Sequence, residues 1–288
     1  MSGARPPSSG RVARGLWSGT RLALSGSLLL LFLVPLVVLV LYAPLGELLQ
    51  VARDPGVEAS LGFTLYASGL ALGLSLALGI PMGHLLARRA FRGKTLVESA
   101  VALPVVVPHL VAGLALFLAV RPGSPIGAAL SRAGLPVFDT IWGVVLVMVY
   151  VSSPYTVLAA ELSFRAVDPR LLEAARSLGA SPAVAARTVA LPLALRGLVA
   201  GGLLTWARSV SEIGGFLILA YTVYPSTGYA GPVTNPLSVY IYTTYSIDLS
   251  AAAATASLFL LIAFGLFLAV RLIERTGRLP WRTGELPL

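Results

Sequence analysis

The chain has 288 residues, of which 57% are hydrophobic and 11% charged, and its formal net charge is +9 at pH 7. A soluble globular domain carries about 25% charged residues, so this composition excludes a protein folded around a single core in water and indicates an integral membrane protein. The absence of cysteine from the sequence excludes disulfides and thiolate metal sites.

Six apolar segments are each close to the roughly 20 residues of helix that cross a bilayer. The predicted spans are 22–42, 63–86, 98–120, 141–163, 197–221 and 249–272. Pro104 and Pro108 interrupt the third of them. The predicted fold class is therefore an all-α integral membrane protein with six transmembrane helices.

The two ends of the chain are more polar than its middle. We expect residues 1–20 to be a loose cytoplasmic tail, residues 21–275 to be the transmembrane domain, and residues 276–288 to be a second cytoplasmic tail. A cleaved signal peptide over residues 1–45 is the alternative. The first apolar run favours a retained helix, because it is too long for a signal core and lacks a small-x-small cleavage site.

The basic residues are distributed unevenly between these spans. If both termini, the loop after the second span and the segment between the fourth and fifth spans are cytoplasmic, those four regions hold seventeen of the 21 Lys and Arg residues. The opposite loops then hold three. Because Lys and Arg concentrate in cytoplasmic loops, the sequence predicts a multi-pass protein of the plasma or inner membrane with both termini inside. The positive net charge is therefore explained by basic cytoplasmic loops of a protein in a lipid bilayer, and we expect no nucleic-acid partner.

The segment at 165–192, which we name the elbow, lies between the fourth and fifth spans and carries helix start and stop signals twice. Asp168-Pro169 and Ser181-Pro182 are typical of a capping residue followed by a proline in the first turn. Gly179 stands where a helix ends with positive φ. Leu191-Pro192 predicts a break before the fifth span begins.

The elbow resembles the cytoplasmic coupling loop of ABC-transporter permeases, which has a Glu-Ala-Ala, a Gly and a terminal Leu-Pro in this order. The matching residues are Glu173, Ala174, Ala175, Gly179, Leu191 and Pro192. In that family the loop lies in a groove on the ATP-hydrolysing subunit, so the resemblance implies ABC ATPase subunits as partners here. An ordinary loop with two capped helices is the alternative. Similar order and spacing extend over about residues 61–272.

The fifth predicted span contains two ionisable residues at membrane depth. Arg208 and Glu212, with Thr205 and Ser209, recur at positions i, i+3, i+4 and i+7 and would share one face of a helix. Ionised groups in the bilayer are costly and must face protein or water. We interpret these four residues as a candidate translocation pathway. A salt bridge that only locks helices together remains an equal alternative.

A narrower resemblance points to the cargo. Residues 207–214 and 217–221 are similar to the fifth span of molybdate/tungstate permeases, and residues 236–242 to an outer loop of the archaeal-type members. The resemblance implies an importer of a tetrahedral oxyanion that an extracellular or periplasmic solute-binding protein delivers. Sulfate permeases carry a similar Arg, Glu and Gly pattern, so sulfate, thiosulfate or another small solute is the alternative. Thr243-Thr244 departs from those relatives, which usually have a charged residue there.

A chain of six spans without an internal repeat needs a partner to enclose a pathway, and we expect a second, identical permease copy. No glycine loop with a phosphate-binding Lys occurs, so the chain is expected to be a non-catalytic subunit without cofactor or ATP site. A stand-alone secondary carrier would show repeated halves and ion-site carboxylates. An intramembrane enzyme would show paired catalytic groups on facing helices.

The histidines and the clustered tyrosines are assigned structural roles. We expect His84 and His109 to be hydrogen-bonded packing residues that hold no metal. The six tyrosines between Tyr221 and Tyr245 are interpreted as part of an interfacial aromatic belt, with a binding surface as the alternative.

Overall fold

The computed structural model describes residues 9–275, which are helical apart from turns, loops and two isolated β-bridges between residues 223 and 234. The helices are α1 (Ser9–Tyr42), α2 (Leu45–Val51), α3 (Pro55–Arg88), α4 (Lys94–Val106), α5 (His109–Val120), α6 (Pro125–Arg132), α7 (Ile141–Arg165), α8 (Pro169–Ser177), α9 (Pro182–Ala185), α10 (Leu191–Val210), α11 (Phe216–Leu219), α12 (Leu237–Tyr245) and α13 (Leu249–Arg275). A π-helical turn over Ala186–Ala190 joins α9 to α10.

Five continuous helices are long and apolar enough to cross a membrane: α1, α3, α7, α13 and the run from α9 to α10. The third predicted span is instead the pair α4 and α5, which bends by 115° between its halves. Its two ends lie at opposite ends of α7. Glu98 in the first turns of α4 lies 3.4 Å from Arg165, the last residue of α7. Phe117 near the end of α5 has its ring 5.8 Å from that of Phe138, just before α7 begins. The pair therefore forms one broken span, and the described residues contain six spans.

The central helix is α7, which packs between α3 and α10. Glycines on both neighbours allow the backbones to approach closely. A Cβ added to Gly83 of α3 would lie 2.5 Å from the Cβ of Ala160, and one added to Gly201 of α10 would lie 2.2 Å from the Cβ of Ala159. Helices in lipid associate through such small residues, so α3, α7 and α10 form a compact core.

The break predicted at Leu191-Pro192 is wrong, because the helix runs on through these residues to Val210. In the π-helical turn the N–H of Leu191 donates to the carbonyl of Ala186, five residues back. Proline lacks an N–H, and the wider turn in front of it accommodates that loss without ending the helix.

The fifth predicted span also ends earlier than expected. The helix stops at Val210, and the chain turns before the short α11 starts at Phe216. Gly214 and Gly215 weaken any helix through this point. The carboxylate of Glu212 accepts from the N–H of Gly215 at 2.8 Å, which stabilises the non-helical turn.

The predicted N-terminal tail also differs from the structure, because α1 begins at Ser9 and residues 9–20 are helical. Extending an existing helix is much cheaper than nucleating one, and no proline precedes Pro35 in α1. Residues 1–8 and the predicted tail at 276–288 lie outside the described residues.

Candidate translocation and coupling sites

The C-terminal end of α10 lies beside the middle of α7. The hydroxyls of Thr156 on α7 and Thr205 on α10 are 2.7 Å apart. Arg208 follows one turn later on α10, and because the two helices run antiparallel it lies near the midpoint of the 25-residue α7. At this depth a cation is costly unless it faces protein or water.

Arg208, Glu212 and His109 meet where α10 ends and where the second half of the broken span begins; we name these three residues the ion cluster. Arg208 Nη2 lies 3.0 Å from Glu212 Oε2 and 2.7 Å from His109 Nε2. His109 Nδ1 lies 3.4 Å from the same carboxylate oxygen. The Glu212 side chain is fully buried, whereas that of Arg208 is 15% exposed and that of His109 is 46% exposed. The cluster is therefore reached from the His109 side.

The hydrogen bonds of the ion cluster leave one donor without a partner. Glu212 is compensated by Arg208 and by the N–H of Gly215, and Ser238 Oγ donates to its backbone carbonyl at 2.5 Å. Arg208 Nη1 is buried and has no hydrogen-bond partner in the described structure. Because a guanidinium can only donate, this nitrogen needs an acceptor, and an oxyanion supplies one.

The turn after α10 packs tightly against the start of α5. A Cβ added to Gly214 would lie 2.6 Å from the Cβ of His109, and one added to Gly215 would lie 2.4 Å from Cγ1 of Val147 on α7. A side chain at position 214 would displace His109, and one at position 215 would displace Val147. The two glycines therefore allow the turn that carries Glu212 to lie against α5 and α7.

Of the four predicted pathway residues, the structure brings together Arg208 and Glu212 only. Thr205 is fully buried and bonds to Thr156 and to its own helix. Ser209 is also buried, and its hydroxyl donates to the carbonyl of Trp206. The hydroxyls of Thr205 and Ser209 are thus used in helix packing and do not flank the guanidinium.

His109, which was expected to be a packing residue, is the member of the ion cluster that sequence reasoning missed. The available signal was its position directly after Pro108, at the break in a membrane span. Its partners are about a hundred residues away in the chain, so spacing along one helix does not reveal them. His84 packs with its ring 4.8 Å from that of Phe164 in an edge-on arrangement, and its expected hydrogen bond stays a prediction.

The two start signals of the elbow and the stop at Gly179 are confirmed. Asp168 Oδ1 accepts from the N–H of Arg170 at 2.9 Å, and Ser181 Oγ accepts from the N–H of Val184 at 3.3 Å. Gly179 has φ +92°, a conformation that side chains with a Cβ rarely adopt. The elbow therefore begins with two capped helices at a sharp corner.

The elbow presents a surface that nothing in the described structure covers. Most of the sequence-predicted coupling residues are exposed. The elbow exposes Glu173, Ala174 and Gly179 and half-buries Ala175, and the continuous helix exposes Leu191 and Pro192. Leu178 beside them is 89% exposed, an unusual position for a leucine unless a partner covers it.

The base of the elbow is fixed to the membrane core. Leu172 packs against a buried cluster that includes Phe164 and Ala194. Arg88 Nη2, at the end of α3, donates to the carbonyl of Val167 at 2.8 Å. The elbow is thus in direct contact with α3, α7 and α10.

The loop between α11 and α12 is tied to the start of α7 through Asp139. Its N–H donates to Leu219 at 3.2 Å and its carbonyl accepts from Tyr224 at 3.1 Å, with φ +52°. Burial raises the pKa of the Asp139 carboxyl, although backbone hydrogen bonds from Thr222 and Tyr221 oppose this.

Two of the clustered tyrosines form contacts that stabilise the loop after α11 and the helix that follows it. Tyr229 packs edge-on against Phe63 and donates to a loop carbonyl, and the hydroxyl of Tyr240 lies 3.5 Å from Asp54 Oδ1.

Comparison with known proteins places these features in context. Residues 69–278 match the family described as binding-protein-dependent transport system inner membrane component. A probable molybdenum ABC transporter permease protein of Haloferax volcanii is 36% identical over 92% of both chains. The molybdate/tungstate transport system permease protein WtpB of Pyrococcus abyssi is 38% identical over 62% of this chain and 66% of its own.

Among solved structures, a subunit of a bacterial alginate ABC transporter in complex with an alginate-bound periplasmic protein is similar in fold. Its TM-score is 0.67 over 93% of this chain and 96% of that one, at 17% sequence identity. The similarity at this identity concerns the arrangement of the helices.

Proposed function

The chain belongs to the family of inner membrane components of binding-protein-dependent transport systems and is an ABC-importer permease, and we propose that its cargo is a tetrahedral oxyanion of the molybdate and tungstate class. The observation that carries this proposal is the buried, unpartnered Nη1 of Arg208. The names of the relatives from Haloferax volcanii and Pyrococcus abyssi support the same cargo class.

The chemistry of the ion cluster suits an anion that must leave again. A guanidinium offers hydrogen-bond donors in a planar arrangement that matches oxyanion geometry. Glu212, 3.0 Å away, offsets the charge of Arg208 and limits how tightly an anion is held. Conduction needs such moderate binding, because a site that traps its ion does not pass it on.

The partners follow from the same architecture. We propose that the open face around Glu173 and Leu178 docks an ATP-hydrolysing subunit, that a solute-binding protein delivers cargo at the opposite face, and that a second copy of the chain completes the pathway. The exposed leucine of the elbow supports the first point, and the periplasmic protein in the alginate transporter complex supports the second. Both termini and the elbow are then cytoplasmic, and the chain itself hydrolyses no ATP.

Sulfate and thiosulfate are chemically close to this cargo class, and the experiment separates them. The permease is reconstituted in liposomes with its ATPase and binding protein, and uptake of molybdate, tungstate and sulfate is measured with and without ATP. We expect ATP-dependent uptake of molybdate and tungstate, with at least about a tenfold preference over sulfate. Uptake of sulfate alone would reassign the cargo, and transport driven by an ion gradient without ATP would overturn the proposed function.

A further inference from the structure

The contact between Arg208 and His109 fixes the protonation state of the imidazole. A guanidinium has donors and no acceptor, so the 2.7 Å contact of Arg208 Nη2 with His109 Nε2 requires Nε2 to accept. A neutral imidazole with an accepting Nε2 carries its proton on Nδ1. That nitrogen faces Glu212 Oε2 at 3.4 Å, where a proton is electrostatically favourable.

We infer that His109 is a positioning residue for oxyanion transport: its Nε2 holds Nη2 of Arg208, which leaves the buried Nη1 available to the cargo. The inference rests on the proposed function, because it assigns His109 a part in moving the oxyanion. Glu212 and His109 contact the same Nη2 from two different elements, the turn after α10 and the first residue of α5. Two acceptors on one nitrogen restrict rotation of the guanidinium, which a single carboxylate does not.

Protonation of His109 would abolish this arrangement. The charged groups that face the imidazole are Arg208 and Glu212. The other helices packed against α5 bring no competing charge: α11 has none, Arg132 of α6 donates to its own helix, and the Glu161–Arg165 pair lies at the far end of α7. An imidazolium has no acceptor and places a second cation beside Arg208. The arrangement therefore requires the neutral imidazole.

Two matched substitutions distinguish a role of His109 in holding the Arg208 guanidinium from a role in helix packing alone. The amide oxygen of His109→Gln reaches the place of Nε2 and can accept from Arg208, whereas the shorter His109→Asn reaches only the place of Nδ1. In the reconstituted complex, with molybdate as the probe, we expect His109→Gln to retain uptake within about threefold, because its amide oxygen still accepts from Arg208. We expect His109→Asn to lower uptake about tenfold, the effect of one lost charge-assisted hydrogen bond. Equal uptake by the two variants would overturn the inference.

A second measurement does not depend on the cargo. The sequence contains two histidines, so a His84→Gln variant labelled with ¹⁵N-histidine reports on His109 alone. In the assembled complex we expect the Nδ1–H tautomer, and we expect Arg208→Met to abolish that preference. An Nε2–H imidazole in the otherwise native protein would overturn the inference whatever the cargo. Absence of oxyanion uptake by the native complex would instead overturn the proposed function, and the tautomer would still decide whether Arg208 holds His109.

Discussion

Gly113 and Gly215 meet backbone to backbone: a Cβ added to Gly113 would lie 2.7 Å from the Cα of Gly215. Gly113 lies one turn into α5, the second half of the broken span, and Gly215 lies in the turn after α10. Two interrupted spans are thus joined at their interruptions, beside the ion cluster. This contact leaves no room for a side chain.

Gly113→Ala should therefore separate the two spans. Inserting a methyl group into such a contact costs about 1–3 kcal/mol, so we expect a lower unfolding temperature and strongly reduced uptake. The control is Gly265→Ala on α13, where an added Cβ meets nothing within 4 Å and alanine favours the helix. Thermal unfolding of both variants in detergent provides the measurement. Equal unfolding temperatures would show that the backbones are not in contact.

Substitutions of Arg208 and Glu212 distinguish a role of this ion pair in transport from a role in helix packing alone. Arg208→Lys keeps the charge and loses the planar donor arrangement, so uptake should fall about tenfold while the protein assembles. In the double variant Arg208→Met with Glu212→Gln, no unpaired buried charge remains, and the amide oxygen at 212 can still accept from Gly215. We expect this variant to fold and to lose oxyanion uptake. Native uptake rates in the double variant would instead assign the pair a purely structural role.

The elbow is expected to couple ATP hydrolysis to transport. Glu173→Lys reverses an exposed charge on the proposed docking face, and Gly179→Val forces a β-branched residue into φ +92°. Both should lower binding-protein-stimulated ATP hydrolysis and uptake by at least about tenfold. Gly134→Val is the matched control, because Gly134 has φ +77° and open space around it in the loop before α7. If Gly134→Val lowers ATP hydrolysis as much as Gly179→Val, the effect is general strain and not coupling.

The orientation is tested with single cysteines, since the native chain has none. Arg170→Cys on the elbow and Thr227→Cys in the outer loop are both at exposed positions. In intact cells, a membrane-impermeant thiol reagent should label position 227 and reach position 170 only after the cells are opened. Labelling of position 170 from outside would invert the proposed topology.

Asp139 gives the contact between the loop before α7 and the loop after α11 a dependence on pH. Because the folded-state pKa of this carboxyl is raised, its contribution to stability is present below the unfolded-state pKa and is lost as the pH rises through the folded-state value. Asp139→Asn keeps an acceptor oxygen and tolerates φ +52°, but carries no charge. The variant should therefore unfold at a higher temperature than the native protein at pH 7 and at a similar temperature in acid. A difference that is the same at both pH values would contradict this.

Local chemistry explains how much of the fold was predictable. Capping at Asp168 and Ser181 and the positive φ of Gly179 depend on neighbours within a few residues, so the sequence alone predicts them. The helix through Pro192 could not be predicted, because its continuation depends on a π-helical turn and on packing of α10 against α7. The same limit applies to His109: its contact with Arg208 arises from the meeting of two breaks that no local pattern connects.

The π-helical turn at Ala186–Ala190 takes up one extra residue without changing the rotational phase of the helix. One residue of an α-helix corresponds to about 100° of rotation and 1.5 Å of rise, and a π-helical turn holds about one residue more than an α-helical one. The surplus residue in front of Pro192 is wound into this wide turn, so the elbow keeps nearly the same angle relative to Arg208 that a regular helix one residue shorter would give it. A deletion in the regular helix between this turn and Arg208 would instead rotate the elbow by about 100°, so the angular register between the proposed motor contact and the proposed cargo contact depends on the residue count of α10.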